Sequence, residues 1–215
     1  MSRRDPRRFQ SRRRRLLAAT TVLLALTSLT LLLPRSASPL PVLDTLGGDF
    51  TLDSTLGRAL SLGDLRGRLV LLNFGFTGCP DVCPTALARM RALVLDLAAL
   101  GIDVQPLFVT IDPERDSIDV LSDYVAHFHP ALVGLTGSAA DVAEVTERYR
   151  VYVEREPAPS AESDYGFAHS THIYLIDGRG RLRAMFGASH TLERMVAETR
   201  TLDPNPLRHL WRLVP

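Results

Sequence analysis

The chain of 215 residues contains no lysine, a single tryptophan and only two cysteines; all twenty-five of its basic residues are arginine. A disulfide-held scaffold needs several cysteines at wide spacings. Cys79 and Cys83 are four residues apart, so they form one site or nothing. The lack of lysine is a habit of composition with no mechanistic weight. Net charge is scarce as well, only +1, and it is unevenly placed. Eight Arg against one Asp give residues 1–15 a charge of +7, so the rest of the chain sums to −6. A nucleic-acid footprint, which requires basic residues clustered on a folded domain, is thereby excluded. The roughly 175 residues beyond the first forty can bury about 70% of their unfolded surface. Such a domain folds without a staple, which leaves any cysteine or metal site free for function.

One long apolar run is present. Leu16 to Leu33 is uncharged and directly follows Arg12 to Arg15. As a helix it would span about 27 Å, close to the ~30 Å hydrocarbon core of a bilayer. The expected organisation is a basic cytoplasmic tip at 1–15, a transmembrane anchor or signal segment at 16–34, a linker at 35–42, a domain at 43–202 and an unassigned tail at 203–215. The arginine block stays in the cytoplasm. The expected location is therefore a bacterial inner membrane, single-pass, with the C-terminal domain on the periplasmic face. A signal peptide cleaved near Ser36-Ala37-Ser38 is the alternative. Both place the domain outside the cytoplasm.

Within the domain, Arg68 to Phe76 is a nearly continuous apolar run, as a strand buried on both faces requires. Pro84 to Leu100 has Leu87, Met90, Val94 and Leu97 at helical spacing. Val104 to Ile111 reads as a second buried strand. Ser117 to Phe128 reads as a helix with Val120, Leu121, Tyr124 and Phe128 on one face, and Ala139 to Tyr149 as another. Glu154 to Gly166 reads as an exposed loop. Thr171 to Phe186 reads as a hairpin about Asp177-Gly178-Arg179-Gly180, followed by a helix over Thr191 to Thr199. This order predicts an α/β, thioredoxin-like fold, a central mixed sheet flanked by helices.

Phe76 to Pro84 (F-T-G-C-P-D-V-C-P) lies where the first strand meets the first long helix, at the end of the sheet where ligands gather. The partial positive charge of a helix N-terminus favours a thiolate there. A thioredoxin redox motif has two residues between its cysteines; this one has three. Both sulfurs can still reach one side of the first turn, but two sulfurs rarely complete a metal site. Thiolates with an imidazole suit Cu(I), Cu(II) or zinc. Of six histidines, His127 and His129 end a helix, His190 begins one and His209 lies in the tail. His172 falls inside a strand. His169 occupies the loop entering that strand, which in a thioredoxin-type fold faces the cysteine pair. Asp81, at the helix start, has a capping role as its plain explanation.

Three segments carry a specific resemblance: Phe74 to Pro84 (F-G-F-T-G-C-P-D-V-C-P), Ile111 to Asp116 (I-D-P-E-R-D) and Asp164 to Asp177 (D-Y-G-F-A-H-S-T-H-I-Y-L-I-D). In order and spacing they resemble the signature regions of the Sco/SenC family, over roughly Leu43 to Arg200. The resemblance implies a thioredoxin-like fold, a membrane anchor and copper, Cu(I) or Cu(II), held by Cys79, Cys83 and His169. It also implies that Asp112 lies near the metal and influences it; Asp81, beside the cysteines in sequence, is a further candidate for the surroundings of the site. Gly78 stands where many members have His, and Ala168 where many have Asp; both affect the hydrogen bonding around the ligands.

The function implied is copper delivery to the binuclear copper site of cytochrome c oxidase subunit II, with another copper chaperone or a thioredoxin-like reductant as further partners. The rival reading is a thiol-disulfide oxidoreductase in which Cys79 attacks and Cys83 resolves, keeping the subunit II cysteines reduced.

Overall fold

The computed structural model describes residues 40–157 and 165–203. The predicted anchor at 16–34, most of the linker and the tail beyond 203 lie outside the described residues. No described helix is long and apolar enough to cross a membrane.

The chain forms β1 (Thr51–Ser54), β2 (Ala59–Ser61), a 3-10 turn (Leu62–Leu65), β3 (Leu69–Gly75), α1 (Val82–Ala99), β4 (Val104–Thr110), α2 (Ile118–Ala126), β5 (Val133–Thr136), α3 (Ala139–Arg148), β6 (Val153–Pro157), β7 (Tyr165–His169), β8 (Ile173–Ile176), β9 (Leu182–Phe186) and α4 (Leu192–Arg200). Seven strands pair in the order β2-β1-β5-β4-β3-β8-β9. β3, β4 and β5 run parallel, and the flanking strands are antiparallel. This is the predicted mixed sheet with flanking helices.

The apolar runs of β3 and β4 are explained by their central positions, where every residue is buried. Alternate side chains serve opposite faces. Val70, Leu72 and Phe74 join Val145 of α3 and Tyr149, the residue that follows that helix, on one side. Leu69 and Leu71 join Leu87, Met90, Leu93 and Leu97 of α1, Leu121 and Val125 of α2 and Met195 of α4 on the other. Ser117, Ser138 and Thr191 each cap a helix by accepting a backbone N–H, the role short polar side chains fill at helix starts.

Two expectations are corrected. The supposed loop from Glu154 contains β6 and β7, which pair with each other as a two-stranded ribbon separate from the main sheet. All of β6 (V-E-R-E-P) is exposed, so it carries no hydrophobic alternation by which to be read. In α2 the inward residues are Leu121 and Val125, four apart, while Val120 is 42% exposed. It lies about 100° around the helix from Leu121.

The β8–β9 hairpin is locked by Asp177, which is buried. It accepts from the backbone N–H of Arg179 and Arg181 and from the guanidiniums of Arg181 and Arg183. Burial pushes its carboxyl up, but the bonds from Arg181 and its neighbours outweigh that and bring it down to about 2. Its stabilisation is complete above the ordinary value of 3.8 and is lost as the pH falls towards about 2. Asp177→Asn should therefore cost roughly 2–3 kcal/mol at neutral pH in denaturant unfolding. The difference from wild type should shrink as the pH is lowered through that window.

Candidate metal centre

β3 ends at Gly75, and Phe76, Thr77 and Gly78 carry the chain to Cys79 before α1 starts at Val82. Cys79 therefore stands just outside the helix and Cys83 at its second residue. Cys79 is 7% exposed and Cys83 is 1% exposed, and both are free thiols. The buried position of Cys83 depends on Gly75. A Cβ there would lie 2.7 Å from Cys83 Sγ and 2.9 Å from the ring of Phe108.

The third donor arrives from the ribbon. His169 is the last residue of β7, a strand end where a loop residue was expected. Its Nε2 lies 3.2 Å from Cys83 Sγ, and its ring meets Phe76 edge-on at 5.9 Å. Nδ1 is 2.9 Å from the carbonyl of Ser170. A carbonyl can only accept, so Nδ1 carries the proton directed at Ser170, and Nε2 is the nitrogen that faces the sulfurs. The three donor atoms lie within 4.8 Å of one another. Donors about 2.3 Å from one ion can stand up to about 4.6 Å apart, so a shared point needs little movement. His172 is not among them: its backbone carbonyl accepts from Asn73 Nδ2 and its Nδ1 is buried without a partner among the described residues.

The two thiols are driven apart. A hydrogen bond from Cys83 lowers Cys79 to about 4; burial opposes this, and His169 and the backbone N–H groups of Cys83 and Asp81 assist it. Cys83 is pushed up by that same bond and by burial. Cys79 is the standing thiolate, and Cys83 holds the proton until a cation replaces it.

The I-D-P-E-R-D segment supplies two buried carboxylates with separate duties. Among the described residues, Asp112 makes no hydrogen bond to either cysteine. It accepts from Arg115 Nε and, at 2.9 Å, from the hydroxyl of Tyr165, the first residue of β7. Asp116 accepts from Thr77 N–H at 3.0 Å, from Thr77 Oγ1 at 2.5 Å and from Thr110 Oγ1 at 2.6 Å, so it fixes the loop that carries Cys79. Asp116 was not singled out from the sequence, although it closes a motif that was. Asp81 is exposed and its side chain makes no capping bond; it contributes through its backbone.

Residues 41–202 match the family model described as SCO1/SenC. The SCO2-like protein of Rickettsia felis is 42% identical over 136 residues, which are 63% of this chain and 66% of that protein; the chain thus spans just under two thirds of that relative's length. The crystal structure of Arabidopsis thaliana ScoI with copper bound superposes with a TM-score of 0.66 at 36% identity, covering 70% of this chain and 93% of that one. BsSco, in which a disulfide switch was identified, is a member of the Sco family of cytochrome c oxidase assembly proteins; it superposes at 0.64 with 25% identity over 78% of this chain and 99% of its own.

Two outcomes follow for the metal-free protein. Cys79 should alkylate at a rate already maximal at neutral pH that falls only as the pH drops through about 4, while Cys83 stays unmodified; mass spectrometry of the labelled peptides reads both. Gly75→Ala should displace the Cys83 sulfur and destabilise the fold by about 1–3 kcal/mol, measured by denaturant unfolding.

Proposed function

The chain belongs to the SCO1/SenC family, and from that premise we propose that it is a copper carrier serving cytochrome c oxidase assembly, with Cys79, Cys83 and His169 as the ligands. The observation that carries this reading is the convergence of two sulfurs and one imidazole nitrogen from separate elements on one point. Two thiolates with a neutral imidazole form a soft, three-donor set suited to Cu(I). Cys79 meets the ion as a thiolate, Cys83 gives up its proton on binding, and His169 closes the set through Nε2. Three donors leave a position from which an acceptor's ligands displace them one at a time. The acceptor in this reading is the binuclear copper site of oxidase subunit II, and the carrier is held at the membrane by the segment at 16–34 with its domain in the periplasm.

A second reading draws on the depressed Cys79 thiol beside a protonated neighbour. Cys79 would attack one sulfur of a substrate disulfide and expel the other as a thiolate. Cys83 would then attack the mixed disulfide, releasing a reduced substrate and leaving Cys79–Cys83 oxidised, to be restored by a thioredoxin-like reductant.

Titration of the reduced full chain with Cu(I) against a chelator distinguishes the two. The copper reading expects one copper per chain, none in the Cys79→Ser/Cys83→Ser variant, and a loss in His169→Ala beyond the ~10–100-fold typical of outer-sphere changes. Unchanged affinity in His169→Ala would remove the third ligand. Disulfide reduction undiminished by that substitution would favour the redox reading.

A further inference from the structure

The ribbon that carries His169 has no strand pairing to the main sheet, and a two-stranded ribbon alone is marginally stable in water. Its placement comes from the short link of residues 170–172 to β8 and from side chains. Tyr165, Phe167 and His169 alternate along β7 and share one of its faces. Each has a different contact on the body of the domain. His169 reaches Cys83, and Phe167 meets Phe76 edge-on at 5.4 Å. Tyr165 is held by Arg115, in the turn between β4 and α2.

The grip on Tyr165 is unusually complete. Arg115 Nη1 donates to the Tyr165 carbonyl at 3.0 Å, and the guanidinium carbon lies 3.8 Å from the centre of the Tyr165 ring. Nε is paired to the buried carboxylate of Asp112, which also accepts the Tyr165 hydroxyl. Backbone, ring and hydroxyl of one residue all meet this Arg–Asp unit; Arg155, in β6 of the same ribbon, covers the ring at 3.5 Å, and Glu114 beside Arg115 also accepts from the hydroxyl at 3.3 Å. His169 lies four residues along the same strand, about 13 Å at 3.3 Å per residue. A slip of one residue at Tyr165 would turn the imidazole to the opposite face.

We propose that Arg115 is a positioning residue for metal binding: by clamping Tyr165 it sets the register and tilt of β7 and so delivers His169 Nε2 to the cysteine pair. The inference rests on the copper reading above. A planar fork makes the clamp, so charge alone does not replace it; Arg115→Lys keeps the ion pair available while losing the flat stack and the second donor.

The test uses the full chain carrying Arg115→Ala, Arg115→Lys, His169→Ala and the Arg115→Ala/His169→Ala pair. In the metal-free protein, hydrogen exchange of the β7 amides should quicken about tenfold in both Arg115 variants while those of α1 keep their wild-type rates. Cu(I) affinity should fall by about tenfold, within the range for groups that orient a ligand. In the His169→Ala background the same Arg115→Ala change should cost nothing further, because a residue acting through another has no effect once that other is gone. An equal loss in both backgrounds, or unchanged β7 exchange, would overturn the proposal. If Arg115→Ala fails to fold, Arg115→Lys decides on the same readouts. A wild-type chain that binds no copper would sink the copper reading alone; the exchange measurement would still decide whether Arg115 holds the strand.

Discussion

The contact between Cys83 Sγ and His169 Nε2 joins two parts of the chain that no strand pairing connects. Cys83 belongs to the start of α1, anchored in the core behind β3, and His169 ends a ribbon outside the main sheet. Without that meeting the chain has a buried pair of thiols and a hairpin. With it, it has a set of three soft donors.

The surrounding sequence spends its polar residues on holding each half still. Within a five-residue stretch, Asp116 ties down the loop before Cys79 through Thr77, while Asp112 with Arg115 ties down the start of β7. Buried carboxylates are costly unless satisfied by donors, and these two are. One turn after β4 thereby fixes both sides of the centre, and the path from strand to ligand is rigid on the cysteine side and side-chain-held on the histidine side. The difference in protonation between the two thiols follows from the same closeness: two sulfurs sharing one proton in a largely buried place cannot both ionise until a cation arrives.

Much of this was legible in the residues. A strand buried on both faces must be apolar throughout, so β3 and β4 declared themselves; α1 did so by its 3.6-residue spacing, and the cysteines stood at the junction between them. Short elements stayed hidden. β1 alternates over only four residues (T-L-D-S), β5 is four residues long, and β6 has no buried side chain to leave a pattern. With β6 leaving no pattern, β7 reads as loop, and His169 stands at a strand end where the sequence reads a loop. The separate duties of Asp112 and Asp116 were beyond the sequence for another reason. Both follow from how an irregular turn is folded, and spacing of four residues in a turn, unlike in a helix, fixes no direction.

The most direct measurement of the central claim is X-ray absorption at the copper edge of the Cu(I)-loaded protein. Two sulfur scatterers at about 2.3 Å and one nitrogen at about 2.0 Å, the nitrogen showing the outer-shell pattern of an imidazole that vanishes in His169→Ala, are the result expected of three converging donors. A shell of two sulfurs alone, identical with and without His169, would contradict it.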